Sequence, residues 1–432
     1  MRDYLVLLLV LATVPLALYR PWLGLLGFSW LAYMRPQDLA WGMAADLPLS
    51  KWVAAAVWLS LILRGKLNPF RRSPITAALL VMWTWLLVSC LFAEHRDVAL
   101  EKFQDITKVI LVALLTVVVV TDRRRFRTVL AVIGLSLGFL GLKYGVYGVA
   151  AGGVHFTRGV GGMIGDNNDF ALALNMGLPL VVYLSSDLGR RAWRLACFAV
   201  VPMIAITVVF THSRGGFLSL AAVTLFLVAQ SRHRFLAGSL VVGLALLASL
   251  VVPHSFYERI ASIAAYQEDG SAMGRLNAWR AAIDMANDSP VVGVGLDNFL
   301  QVFPHYAPDP DDIHVAHNTW LQVLAEAGYI GLLLYAGLFA VTLWTLWRVR
   351  RRARRHGLLW ASRGGTALAA SIIAFIVGGT FLNRAHFDLI YHVMGLVVAL
   401  DRITAFEITA GDTEDDAETD DRARGPDAED AA

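Results

Sequence analysis

Apolar stretches recur along the whole chain with only short polar breaks between them. They lie at roughly 4–18, 22–34, 49–63, 75–93, 105–120, 127–150, 168–184, 193–211, 215–229, 235–252, 329–347, 365–381 and 386–402. A helix needs about 20 apolar residues to cross the hydrocarbon core, or fewer where its flanks snorkel. The first two stretches are short and divided by Arg20-Pro21, so they read as two thin spans or one broken one. The expectation is an all-α polytopic membrane protein with about 12 transmembrane helices, in the range of roughly 11–13. The runs are continuously apolar and lack the alternation of barrel strands, which argues against a β-barrel. Composition excludes the soluble alternative. A chain that is 57% hydrophobic and 16% charged, with mean hydropathy +0.58, has too few charges to coat soluble domains.

Cys90 and Cys197, both inside apolar runs, are too few for a disulfide framework and form no C-x-x-C redox or metal pair. No small-residue cleavage site follows Arg2 and its apolar run, so the first span is expected to remain as an anchor.

Lys and Arg set the orientation. One series of loops holds Arg64, Lys66, Arg71, Arg72, the cluster Arg123–Arg127, Arg190, Arg191, Arg194, Arg232, Arg234, and the run from Arg348 to Arg363, twenty basic residues in all. The intervening loops are longer in total and hold ten. The first series therefore faces the cytoplasm. The long loop 253–328 is then outside and the chain end inside. The expected division is a bundle over 1–252, an outer helical loop over 253–328, further spans over 329–408 and a disordered acidic tail over 409–432.

The outer loop carries helical patterning. Ser255-Phe256-Tyr257 opens one short helix, and Gly274 to Ala286 reads as a second, with Leu276, Trp279 and Ile283 on one stripe and Arg275 on the face of Trp279. Ser289-Pro290 stops it and Gly293-Val294-Gly295 bends the chain. A third helix is expected from about Val315 to Ala327, with His317, Trp320, Leu321 and Leu324 on one stripe and Gly328 ending it.

Several residues here suit chemistry. His317 is either a general base near neutral pH or an interfacial histidine satisfied by Asn318. Arg214, in Ser213-Arg214-Gly215-Gly216 at a tight outer turn, must be solvated or paired with an anion, and the glycines would let a bulky anion approach. Its alternative is a snorkelling arginine. Arg214 and Arg275 together suit a bidentate pyrophosphate clamp, although Arg275 also suits an interfacial anchor beside Trp279. Asp309, Asp311, Asp312, His314 and His317 invite a metal reading, but clusters at Pro-rich turns are usually solvated, and no metal is expected. The glycine-rich 161–169 segment follows no predicted strand and does not suit nucleotide phosphate. Within it Asn167, Asn168 and Asp169 either line a polar vestibule or cap the next span.

Ser213-Arg214-Gly215, Gly274-Arg275…Trp279, Ser289-Pro290…Gly293-Val294-Gly295…Phe299 and His317-Asn318-Thr319-Trp320-Leu321…Gly328…Gly331 follow in that order. Over about 165–345 this set resembles the O-antigen ligase/polymerase family of bacterial membrane proteins. Arg20-Pro21-Trp22, Met34-Arg35-Pro36 and Trp41-Gly42 are similar to a subgroup of O-glycosylation ligases found beside exosortase systems. The resemblance implies a GT-C-like, inverting, metal-independent glycosyltransferase of the inner membrane with a periplasmic site and no cofactor. It implies an undecaprenyl-pyrophosphate-linked glycan as donor and a hydroxyl of a protein or of lipid A core as acceptor. Arg214 and Arg275 match the pyrophosphate-holding arginines and His317 the essential histidine, with Ser213, Asn318 and Asn168 in support. Membrane lipid is the expected surrounding partner, and no nucleic acid is expected. A polymerase would use the same motifs with a second lipid-linked glycan as acceptor. An exporter or flippase would instead need ionic residues buried within its spans, whereas Lys108 and Lys143 lie near span ends.

Overall fold

The computed structural model describes residues 2–40, 42–65, 73–187, 191–249, 270–307 and 313–423. It is a helical bundle: α1 (Arg2–Tyr19), α2 (Pro21–Tyr33), α3 (Leu49–Leu63), α4 (Pro74–Leu91), α5 (Arg96–Val119), α6 (Arg123–Ala150), α7 (Asn167–Asp187), α8 (Arg191–Phe210), α9 (Arg214–Gln230) and α10 (Arg234–Ser249). Then follow α11 (Gly270–Asp288), the single turn α12 (Phe299–Val302), α13 (Thr319–Arg355), α14 (Leu359–Gly379) and α15 (Asp388–Ala423). Each apolar stretch is a helix, and the chain is a multi-pass membrane protein. Among the described residues seven helices are long and apolar enough to cross a membrane: α4, α6, α7, α8, α13, α14 and α15. Four more apolar helices are shorter, at Asp3–Tyr19, Leu49–Leu63, Arg214–Gln230 and Arg234–Gly243. By this standard, among the described residues, the full-length spans are fewer than the expected twelve or so. Two reasons are visible: α5 carries six charges between Arg96 and Lys108, and α2 has 13 residues.

The first two stretches are separate helices. Arg20 leaves the helical region at φ −137°, and Pro21 starts α2. The two then pack antiparallel, with Gly27 against Thr13 and Gly24 against Ala17.

Among the described residues, the two loop series distinguished by Lys and Arg lie at opposite ends of the bundle. At one end Arg64 donates to the Tyr19 carbonyl at 2.7 Å, Arg125 to that of Val119 at 2.9 Å, and Arg348 and Arg352 pair with Asp401. At the other end Arg35 pairs with Asp38 at 2.5 Å, Lys102 with Asp297 at 3.2 Å, and Asn167 donates to the Thr211 carbonyl at 2.9 Å. The second is called the outer end below.

Small residues bring the helices close, as in other membrane bundles. On α6, Gly134, Gly138, Gly141, Gly145 and Gly148 form one stripe against α7 and α8. A Cβ at Gly141 would lie 2.5 Å from Ile204 Cγ1, and one at Gly145 2.7 Å from the Met203 carbonyl oxygen. Thr207 Oγ1 donates to the Gly141 carbonyl at 2.7 Å in the same contact. The glycine-rich segment forms a two-stranded hairpin, β1 (Arg158–Gly161) with β2 (Ile164–Asp166), where no strand was expected. Gly161 and Gly162 leave room there for the Asp38 and Arg35 side chains, so the Met34-Arg35-Pro36 motif seats the hairpin.

The outer segment has its own small core of Ala278, Ala281, Ala282, Met285, Phe299, Val302, Phe303, Ala316 and Ala325. The Ser255-Phe256-Tyr257 helix and Trp41 lie outside the described residues. One expected boundary moves. The third outer helix starts at Thr319 rather than Val315, because Asn318 is its N-cap, with Oδ1 accepting from Trp320 and Leu321 N–H at 3.0 and 3.2 Å. Gly328 ends this outer helix, as the sequence suggested. At φ 72°, ψ −176° it breaks the axis, and α13 resumes at once as a span. The carbonyls freed by the break each find a donor: Ala325 from Val294 N–H at 2.9 Å, Glu326 from Gly295 N–H at 3.1 Å, and Ala327 from Trp85 Nε1 at 3.0 Å. The Ser289-Pro290…Gly295 motif is thus the segment that wraps the break.

The acidic tail also departs from expectation. The α15 backbone runs on as helix to Ala423, past the expected disorder from 409, since extending a formed helix needs no new nucleus. Residues 424–432 lie outside the described set.

Candidate functional site

Three helices begin side by side at the outer end: α7, α9 and α13. Each start is capped from its own sequence. Asp166 Oδ1 accepts from Asn168 N–H at 2.8 Å and from its Nδ2 at 3.0 Å. Ser213 Oγ accepts from Gly216 N–H at 3.0 Å, and Asn318 caps α13 as described. Asn167 Nδ2 holds the Thr211 carbonyl at 2.9 Å, and the buried Asn175 Nδ2 holds that of Gly216 at 2.8 Å, which fixes α7 to α9. The loop between α14 and α15 crosses the same place. Thr319 Oγ1 donates to the Leu382 carbonyl at 2.8 Å and accepts from Arg384 N–H at 3.1 Å. Helix N-termini carry partial positive charge, so this end favours anions before any side chain is counted.

His317 stands in the turn just before α13, at φ 43°. It is therefore not on the Trp320–Leu324 stripe, as the helical spacing suggested; the left-handed turn at His317 and the Asn318 cap aim it elsewhere. Helix α11 is fastened beside it: Trp279 Nε1 donates to the Ala316 carbonyl at 2.7 Å, and Gly274 packs on the His314 ring. That contact brings Arg275 to His317. Burial lowers the imidazole pKa below its ordinary 6.5, Arg275 lowers it further, and His314 and Arg384 add to this against the opposing pull of Asp166. The half-buried His317 is thus held as a neutral imidazole near neutral pH, the form that accepts a proton.

Arg214 is the first residue of α9 and half-buried. Its two glycines serve packing here. A Cβ at Gly215 would lie 2.6 Å from Phe381 Cβ, and one at Gly216 2.7 Å from Ala171 Cβ. They let α9 approach α7 and the 380–387 loop, which corrects the reading that they clear space for an anion. The start of α9, which carries Arg214, thus packs on the loop that carries Arg384. Asn168 is turned onto Asp166, and Ser213 and Asn318 serve as caps. Of the aspartate turn, Asp309, Asp311 and Asp312 lie outside the described residues.

Two residues form a pair that sequence reasoning did not foresee, Asp169 having been read only as a vestibule or capping residue. Asp169 is buried, and its carboxylate takes the Nε–Nη2 edge of Arg384, the Nε bond being 2.5 Å. Arg384 had counted only as one basic residue of the outer series. The signal was available, because it sits at a short outer turn between two spans, as Arg214 does. A further buried carboxylate, Glu326, accepts from Gln322 Nε2 at 3.3 Å just before the Gly328 break.

Residues 198–336 match the O-antigen ligase family. Residues 1–174 match a family of unknown function, DUF5935. Among curated proteins, the chain is similar to the teichuronic acid biosynthesis protein TuaE of Bacillus subtilis (strain 168), with 24% identity over 256 residues. That alignment takes in 54% of this chain and 50% of TuaE, so the chain spans about half the length of the curated relative it matches. Arg214, Arg275 and His317 all fall within 198–336, whereas Asp169 and Arg384 fall outside it. Neither family description mentions exosortase systems, and that narrower likeness rests on the N-terminal motifs alone.

Proposed function

We propose that this multi-pass membrane protein, whose residues 198–336 match the O-antigen ligase family, moves a glycan from undecaprenyl pyrophosphate to an acceptor hydroxyl on the periplasmic face of the inner membrane. The observation that carries this reading is the placing of half-buried His317 in the turn before α13, with α11 and its Arg275 fastened to that turn through Trp279 and Ala316. The acceptor is a hydroxyl of a protein or of lipid A core. His317 takes the hydroxyl proton as the acceptor oxygen bonds to the sugar C1. The C1–oxygen bond to pyrophosphate breaks, and its electron pair leaves with the phosphate. Arg214 and Arg275 neutralise the charge that grows there. Attack opposite the leaving group inverts the anomeric centre. Transfer of labelled glycan from a lipid-linked donor to a lipid A core or protein acceptor tests the reading, and no transfer by purified protein to either would overturn it.

The likeness to a teichuronic acid biosynthesis protein supports a second reading, in which the acceptor is another lipid-linked glycan and the product is a longer polymer. Product length in the same assay separates the two: a single added block for a ligase, a ladder for a polymerase. An exporter finds less support. The buried carboxylates Asp169 and Glu326 both sit at the outer end, and neither lies halfway along a span.

Two expected results follow. In a background without Cys90 and Cys197, a cysteine at Leu300 should react with a membrane-impermeant thiol reagent in cells with a permeabilised outer membrane. One at Gly357 should react only after lysis. The reverse pattern would invert the orientation. Transfer should also survive chelation by EDTA, since two guanidiniums supply the positive charge. Abolition by EDTA with rescue by Mg²⁺ or Mn²⁺ would return the metal reading to Asp309 and Asp311.

A further inference from the structure

Arg384 joins the site from outside the matched region. Its backbone N–H is bonded to Thr319, the first residue of α13, two positions from His317. Its guanidinium is gripped along one edge by Asp169, itself only 2% exposed, in the first turn of α7. The guanidinium side chain remains 44% exposed. A planar guanidinium has five N–H donors, and a carboxylate on the Nε–Nη2 edge leaves Nη1 and the second Nη2 hydrogen pointing the opposite way. Through its charge Arg384 also reaches His317. A purely structural staple between α7 and the 380–387 loop would gain nothing from half-exposure. A buried carboxylate that fixes one edge of an arginine at the meeting of three helix N-termini leaves the other edge preorganised for an anion.

We infer that Arg384, oriented by Asp169, is a third phosphate-binding residue of this site, donating its outer edge to the pyrophosphate of the lipid-linked donor. The inference rests on the glycosyltransferase reading. Asp169 is a positioning residue: it locks the guanidinium plane and prevents Arg384 from swinging out to water. The first residue of α13 thereby anchors the Arg384 backbone two positions from His317.

The test is binding of undecaprenyl pyrophosphate to the full-length protein in detergent, for the wild type and four variants. Arg384→Gln should weaken binding about 10–100-fold, the worth of hydrogen bonds to a charged group. Arg384→Lys keeps the ion pair with Asp169, and so the staple, but lacks the outer edge; it too should weaken binding. Asp169→Asn should weaken it less, since the guanidinium remains but is loosely aimed. The double variant Asp169→Asn, Arg384→Gln can rebuild a neutral amide staple. It should match Arg384→Gln in binding even where its thermal stability recovers. Wild-type binding in the double variant, or unchanged binding in Arg384→Lys, would reduce the pair to a staple and overturn the inference. Absence of binding by the wild type would overturn the glycosyltransferase reading as well, a result distinct from selective indifference of the Arg384 variants.

Discussion

Replacing His317 with alanine should lower glycan transfer by about 10²–10⁴-fold, the usual worth of a positioned acid–base group, while binding of the lipid pyrophosphate persists. The substitution removes one proton acceptor and leaves Arg214, Arg275 and Arg384 in place. Folding should survive. His317 lies in a turn outside the helix, and α13 keeps its Asn318 cap and the bond from Thr319 to Leu382. Arg214→Lys should differ in kind, since it keeps a charge but loses the planar fork, and so weakens donor binding together with transfer. The pH profile gives a second reading of the same base. A base works in its deprotonated form, and burial followed by Arg275 puts the His317 pKa below the ordinary 6.5. The acid limb of wild-type transfer should therefore fall below that value. Arg275→Gln removes a charge that lowers the pKa, so whatever transfer it retains should show an acid limb moved to higher pH. Near-wild-type transfer by His317→Ala would remove the base assignment and leave the histidine an interfacial role.

The features that sequence made legible are those written in local composition. Thirteen apolar stretches gave the helices, and the spread of Lys and Arg divided the loops into the two groups that the bundle places at opposite ends. What depends on a distant partner was not legible. Gly215 and Gly216 look like room for a ligand until Phe381 and Ala171 are seen against them. Asp169 and Arg384 are 215 residues apart, and neither belongs to a spaced motif, so only the fold brings them together. The glycine stripe on α6 can be found in the sequence, but α7 and α8 as its neighbours cannot. The start of α13 is a different kind of error. The apolar spacing ran smoothly back through His317, and periodicity overrode the cap chemistry of Asn318, which marks the true first turn. For His317 the difference matters: a residue before the cap is aimed by its own backbone, here left-handed, and not by the helix.

The break at Gly328 carries the second large effect, because the two halves of α13 hold the site and the membrane span. Gly328 combines φ 72° with ψ −176°, a region open essentially to glycine alone, and a side chain there costs about 1–3 kcal/mol before any contact is considered. The contacts make it worse. A Cβ would come within 2.6 Å of the Val291 carbonyl carbon and 2.8 Å of the Pro290 oxygen, backbone atoms that have little freedom to retreat. Pro290 accepts from Tyr329 N–H at 2.9 Å, and Val294 and Gly295 are bonded to the carbonyls of Ala325 and Glu326, so moving the wrap undoes several bonds together. Ser89 Oγ, at 2.8 Å from the Val292 oxygen and 2.9 Å from that of Glu326, ties α4 into the same knot. Gly328→Ala should accordingly yield less folded protein, melt well below wild type in detergent, and transfer poorly even where it folds, since the His317 turn is set by the half-helix above the break. Gly337→Ala supplies the control: the same helix, helical backbone, and no atom within 4 Å of the new methyl. Its melting temperature should equal or slightly exceed that of the wild type, as alanine is the better helix former. Equal melting and transfer for the Gly328 and Gly337 variants would mean that α13 runs straight through residue 328, and that the Ser289–Gly295 wrap does not hold the site in place.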